Sequence, residues 1–106
     1  MASPPLPPES AASFLDQVLE PLLEDFAASF ERGFQLLEHC PESVLPLSRQ
    51  LTLMGRLEEA RRELVAARAL RAAAPVPMAL EMGTITPWHE LVVEVWSLSA
   101  ALRRAA

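Results

Sequence analysis

Apolar residues recur every three or four positions through the first part of the chain. At that spacing they share one face of a helix, which carries Leu15, Leu19, Leu22, Phe26, Phe30 and Leu37. We expect Ser10 or Ser13 to cap this helix, because a serine side-chain oxygen can accept a hydrogen bond from a free backbone N–H group of the first turn. Pro21 lies inside the pattern. A proline ring clashes with the preceding turn, so Pro21 should kink the helix or mark its effective start.

Two small residues, Ser29 and Gly33, lie at the centre of this apolar face. A small side chain allows another backbone to approach closely. We therefore expect Gly33 to face an alanine of the second helix, either Ala60 or Ala67.

The second helix is expected to start after Ser43 or Ser48 and to run to about Ala74. Its apolar positions alternate in steps of four and three, which is the spacing of a coiled-coil seam. The seam consists of Leu53, Leu57, Ala60, Leu64 and Ala67. Glu58 and Arg62, four residues apart, indicate a solvated outer face.

A change of period separates the second helix from the third. Val76, Met78, Leu80 and Met82 alternate with other residues, which predicts an extended segment with one apolar side. Thr86 and Pro87 then predict a helix start, as N-cap and first helical residue. This third helix should continue to about Arg104.

These elements predict an all-α fold. Two long helices joined by a short turn pack antiparallel, so we expect a three-helix antiparallel bundle with two long helices, an extended apolar linker and a shorter third helix. Residues 1–9 hold four prolines, which favours an extended, solvated chain. We expect a disordered tail over residues 1–12 and a single helical domain over residues 13–106.

The third helix carries more apolar surface than one groove can cover. Its inward stripe consists of Trp88, Leu91, Val95, Leu98 and Leu102, and further round lie His89, Val92, Val93 and Trp96. A peripheral helix needs an apolar arc of little more than about 100°, and this arc is about twice as wide. The excess must be covered by the linker, by a second copy or by another protein. The predicted partner-binding residues are Trp96, Val92, His89, Trp88, Met78 and Met82.

Core packing competes with this interpretation for both tryptophans. Trp88 lies at an angle inside the inward stripe, which favours the core. Trp96 lies outside the stripe, where core and interface are both open, and tryptophan is enriched at interface hot spots.

Reactive chemistry finds little support in the sequence. His89 has valines at the positions three and four residues later, so no helix-borne metal pair exists there. His39 and Cys40 are neighbours on a helix and point about 100° apart, which disfavours a base and its nucleophile. We therefore expect no catalytic residue, no metal, no cofactor and no enzymatic activity.

The overall charge and hydropathy exclude further classes of protein. The net charge is −5 and lysine is absent, which disfavours nucleic-acid binding. No apolar run approaches the roughly 20 residues of a membrane helix. One cysteine suits a reducing compartment, and the first residues do not resemble a secretion signal. A cytoplasmic location is the expectation.

Four segments resemble a family of small cyanobacterial proteins described only as a domain of unknown function. They read LEPLLEDF, FERGFQLLE, RRELVAARAL and TPWHELVVEVW. The resemblance spans about residues 14–104. Members usually carry an aromatic residue at one or both positions held here by Ala27 and Ala28. The resemblance implies a cyanobacterial cytoplasm and a role near photosynthesis or carbon metabolism, and it carries over no activity.

The leading hypothesis is a non-catalytic helical protein-interaction module: an adaptor, an assembly factor or a regulator. Its partner would be a protein of unknown identity. One such partner is a second copy of the chain, bound through the third helix as a homodimer. The alternative is a small-molecule or pigment-binding helical protein in which the linker over residues 75–86 acts as a lid.

Overall fold

The described part of the protein forms three helices, as seen in a computed structural model. The structure describes the backbone of residues 8–73 and 82–106, and the side chains of residues 17–73 and 85–106. The helices are α1 (Pro8–Glu38), α2 (Leu47–Ala73) and α3 (Met82–Ala105). α1 packs against both other helices, whereas α2 and α3 touch each other much less. The predicted all-α bundle with a shorter third helix is confirmed.

Ion pairs between α1 and α2 show the direction of these two helices. Glu20 in the first half of α1 binds Arg68 and Arg71 near the end of α2. Further along α1, Glu31 lies 3.8 Å from Arg61. Later residues of α1 therefore lie beside earlier residues of α2, so the two helices are antiparallel.

Contacts between α2 and α3 fix the direction of the third helix. Glu63 accepts a hydrogen bond from Trp88, and Arg56 forms an ion pair of 2.6 Å with Glu94. α3 is therefore antiparallel to α2 and runs in the same direction as α1.

All three helices contribute buried side chains to one core. The periodicity predicted most of them, although Leu23 is more buried than its neighbour Leu22. Fully buried hydrophobic residues are Leu23, Phe26, Phe30 and Leu37 of α1, Leu53, Leu57, Ala60 and Leu64 of α2, and Trp88, Leu91, Val92, Val95 and Leu98 of α3.

α1 begins earlier than its serines predicted. It starts at Pro8, so Ser10 and Ser13 lie inside the helix and neither is its N-cap. Proline suits the first position, because the N–H that it lacks has no partner there. Residues 8–12 of the expected tail are thus helical, and residues 1–7 lie outside the described part of the chain. α1 also continues through Pro21, which therefore does not mark its start.

α3 also begins earlier, at Met82 rather than at Thr86 and Pro87. Pro87 lies inside the helix and lacks the N–H for one ladder hydrogen bond. The buried Trp88 directly after it anchors this stretch to the core, so packing outweighs that loss. With 24 residues, α3 is about 36 Å long instead of the roughly 27 Å expected from residue 87 onward.

The predicted extended segment can be compared only in part. Val76, Met78 and Leu80 lie outside the described residues. Met82, its last apolar position, is the first residue of α3 and therefore helical, and its side chain is outside the described set.

The connection between α1 and α2 ends at Pro46, not at a serine. The Pro46 carbonyl accepts the first helical bonds of α2, from the N–H groups of Arg49 at 2.9 Å and Gln50 at 3.0 Å. The side-chain amide of Gln50 donates to the carbonyls of Cys40 and Leu45, at 3.0 and 2.8 Å. The predicted starts at Ser43 and Ser48 are therefore wrong, because backbone carbonyls and Gln50 supply the polar contacts here.

Gly33 is a close-contact position, as predicted, but its neighbours are different. A Cβ atom on this buried glycine would lie 2.9 Å from Leu57 Cδ1 and 2.9 Å from Val95 Cγ2. It faces neither Ala60 nor Ala67. Because α2 and α3 both approach α1 at this level, two branched side chains fill the space that the missing side chain leaves.

Replacement of Gly33 by leucine should overpack the core. We expect Gly33→Leu to lower the free energy of unfolding by about 1–3 kcal/mol, measured by urea denaturation followed by circular dichroism. The matched control is Gly55→Leu, since a Cβ at the exposed Gly55 of α2 has no neighbour within 4 Å. That control should gain roughly 0.5–1 kcal/mol from helix propensity. Equal effects of the two variants would contradict the close contact.

Candidate interaction surface on the third helix

Two of the predicted partner-binding residues belong to the core instead. Trp88 is 1% exposed and Val92 is 7% exposed, so neither side chain is available to a partner. The assignment of both residues to a partner surface is therefore wrong. The physical reason is that Trp88 belongs to the inward stripe itself, and the buried face of α3 is wide enough to include Val92 as well.

Trp88 has aromatic and polar neighbours from both other helices. Its ring centroid lies 5.5 Å from that of Phe26 and 6.4 Å from that of Phe30, both edge to face. Its indole N–H donates to the Glu63 carboxylate at 3.3 Å. Edge-to-face geometry is favourable for aromatic pairs, and a buried indole N–H needs an acceptor. The burial of Trp88 is therefore well satisfied within the chain.

Trp96 lies about 80° round α3 from Trp88, outside the buried face. It is 62% exposed, and Val93 one turn earlier is 44% exposed. His89, one turn before Val93, is exposed as well. At about 100° per residue the three side chains fall within roughly 60° of one another. We call Trp96, Val93 and His89 the Trp96 patch.

The Trp96 patch retains two of the predicted residues, Trp96 and His89. Met78 lies outside the described part of the chain, as does the side chain of Met82. Val93 belongs to the predicted apolar arc but not to the predicted partner-binding residues. Its exposure follows from its angle, which points away from both α1 and α2.

A groove between α2 and α3 was not foreseen. It has a volume of about 580 Å³, and Arg56 and Glu94, which form an ion pair, both line it. Its lining is mixed: the apolar residues are Val44, Leu45, Leu53, Leu98 and Ala101, and the polar residues are Arg49, Thr52, Arg56, Glu94 and Ser97. Periodicity could not reveal it, because the groove arises from how little α2 and α3 touch.

His39 and Cys40 follow the end of α1 at Glu38, so they are not the helical neighbours that the sequence predicted. Cys40 is partly buried and His39 is exposed, and the Cys40 thiol makes only a long contact of 3.6 Å to the carbonyl of Pro41. Over residues 17–73 and 85–106, no group of three histidine, cysteine or acidic side chains could hold a metal ion. No described helix is long and apolar enough to cross a membrane.

A family model covers nearly the whole folded chain. It matches residues 9–104 and describes a protein of unknown function, DUF2605. The chain belongs to this family. We found no match among curated proteins or among solved structures. The resemblance to a domain of unknown function is confirmed, and DUF2605 brings no assigned activity to the helices described above.

The two tryptophans should differ sharply in their contribution to stability. We expect Trp88→Ala to lower the free energy of unfolding by about 3–5 kcal/mol, because it leaves a large cavity in the core. Trp96→Ala should change it by no more than about 0.5 kcal/mol, as is usual for surface positions. Thermal and urea unfolding of both variants measure this. A large loss in Trp96→Ala would show that Trp96 supports the core.

Proposed function

We propose that the protein is a non-catalytic interaction module whose docking surface is the Trp96 patch. In this proposal it acts as an adaptor, an assembly factor or a regulator of a larger complex. A cyanobacterial source and a cytoplasmic location belong to the same proposal. They rest on the sequence resemblance and on the single cysteine.

The exposure of Trp96 is the observation that carries the proposal. A tryptophan side chain can bury about 150–250 Å², and leaving most of it in water forgoes that stabilisation. The other tryptophan of α3, Trp88, is almost fully buried. The core can therefore accommodate a tryptophan of this helix, yet Trp96 lies outside it. Trp96 therefore has the surface, and lies in the position, of an interface anchor.

The neighbours of Trp96 support the same interpretation. Val93 adds apolar area beside it, and His89 adds a polar group that can donate or accept at the edge of a contact. Apolar centres with polar edges are the usual anatomy of protein interfaces.

Affinity purification from the host with matched variants tests this function. A partner should be captured by the wild type and lost with Trp96→Glu, because the new carboxylate would have to be buried without a counter-charge. Leu51→Glu is the control, since Leu51 of α2 is 63% exposed and lies outside the Trp96 patch. Tagged and untagged copies expressed together reveal whether a second copy is captured. Identical proteins captured with all three chains would contradict the proposal.

A second candidate function is the binding of a small apolar molecule or pigment. The α2–α3 groove favours it, because about 580 Å³ is within the range of ligand pockets. The groove is lined by Val44 and Leu45 of the α1–α2 connection and by side chains of α2 and α3, and most of residues 75–86 lies outside the described part of the chain. Native mass spectrometry of protein from its host decides: only the bare polypeptide mass would overturn this candidate.

A further inference from the structure

We propose that the Trp96 patch docks onto the same patch of a second copy, with the two α3 helices antiparallel about a two-fold axis near Ser97. This proposal rests on the proposed function and deepens it by naming the partner. It follows from the spacing of the patch and from the charges beside it.

The patch has the spacing of a helix–helix seam. His89, Val93, Trp96 and Ala100 follow one another in steps of four, three and four, which keeps them in line along a helix. The first three are exposed and Ala100 is partly buried. A straight line of this kind, apolar at Val93, Trp96 and Ala100, can face a second helix over about three turns.

The exposed apolar residues of α2 lack this continuity. Leu47 and Leu51 lie near its start, whereas Val65 lies almost four turns beyond Leu51. The exposed charges of Glu58 and Arg62 lie between them. Burial of that face would remove both charges from water, so α3 is the better surface for a second copy.

Charges along one edge of the patch select the direction of the second copy. Glu90 and Arg104 each lie seven residues from Ser97 (97 − 90 and 104 − 97), so all three share one flank of α3. All are exposed, and among the described residues neither Glu90 nor Arg104 forms an ion pair.

A two-fold axis at Ser97 brings opposite charges together twice. The two-fold rotation places this flank of one copy beside the same flank of the other copy, in the opposite direction. Glu90 of each copy therefore faces Arg104 of the other. A parallel arrangement would instead place Glu90 level with Glu90 and Arg104 level with Arg104. The charges therefore favour the antiparallel pair.

The small size of the interface makes the dimer weak. Each Trp96 can bury about 150–250 Å², with further area from Val93. Interfaces below about 1,200 Å² in total belong to weak or transient complexes. We therefore expect a dissociation constant on the order of micromolar.

Sedimentation equilibrium of the purified full chain tests the dimer. The wild type should shift from monomer to dimer as its concentration rises through the micromolar range. Trp96→Glu should remain monomeric, and Leu51→Glu should dimerise like the wild type. Circular dichroism checks that each variant keeps its helices. A wild type that remains monomeric throughout, or a Trp96→Glu chain that still dimerises, would overturn the proposal.

A charge exchange tests the antiparallel direction. Glu90→Arg and Arg104→Glu each create two like-charge contacts, so each should raise the dissociation constant roughly 3- to 30-fold. The double variant, Glu90→Arg with Arg104→Glu, should restore the wild-type value. Glu58→Arg on α2 makes the same change in net charge as Glu90→Arg and should leave the dissociation constant within about twofold. A double variant no tighter than either single variant would overturn this arrangement.

The two experiments separate this inference from the proposed function. A monomeric wild type whose host partner is still lost with Trp96→Glu overturns the dimer alone. A dimer that depends on Trp96, without any other protein captured in the host, supports the dimer and limits the function to self-association.

Discussion

The bundle depends on the way Trp88 joins its three helices. The indole projects from α3, its ring meets the edges or faces of two phenylalanines of α1, and its N–H reaches a carboxylate of α2. A shift of either neighbouring helix would separate an aromatic pair or leave the buried N–H without an acceptor. Trp88 therefore helps to set the height at which α3 lies on the α1–α2 pair.

Close approach at Gly33 complements that constraint. About two turns along α3 from Trp88, Val95 reaches the space above Gly33, which Leu57 of α2 also reaches. Trp88 of α3 therefore meets the large Phe26 and Phe30 of α1, whereas Val95 meets the small Gly33. This alternation of large and small contacts sets how closely the helices approach, and α1 packs against α2 and α3 at the same time.

Ion pairs between the helices favour the observed helix directions more than they stabilise the fold. Arg56, Arg61 and Arg68 reach carboxylates on other helices, and each pair is well exposed to solvent. Exposed pairs of this kind contribute about 0–1 kcal/mol each. Their value lies in matching opposite charges only when the helices run in the observed directions.

Sequence reasoning succeeded where burial follows from angle. Apolar residues three and four apart identified the seam of α2 and most of the inward stripe of α3, because helical spacing alone determines which side chains share a face. It failed at the helix starts, because Pro8 begins α1 before Ser10 and because the packing of Trp88 keeps Pro87 inside α3. It also placed Val92 outside the core, because the width of a buried arc depends on how many helices lie against it.

The surface features were the hardest to foresee. The exposure of Trp96 followed in part from its angle, but the pattern left core and interface equally open for it. The α2–α3 groove could not be inferred at all, because it depends on the distance between α2 and α3. The apolar pattern along either helix does not determine that distance.

The contrast between the two indoles has a spectroscopic consequence. The chain contains two tryptophans and no tyrosine, so its near-ultraviolet emission comes almost entirely from one enclosed and one solvated fluorophore. A collisional quencher such as acrylamide reaches Trp96 in the folded protein and reaches Trp88 only when the bundle opens. The emission of the unlabelled protein therefore divides into one component that reports surface contact and another that reports unfolding.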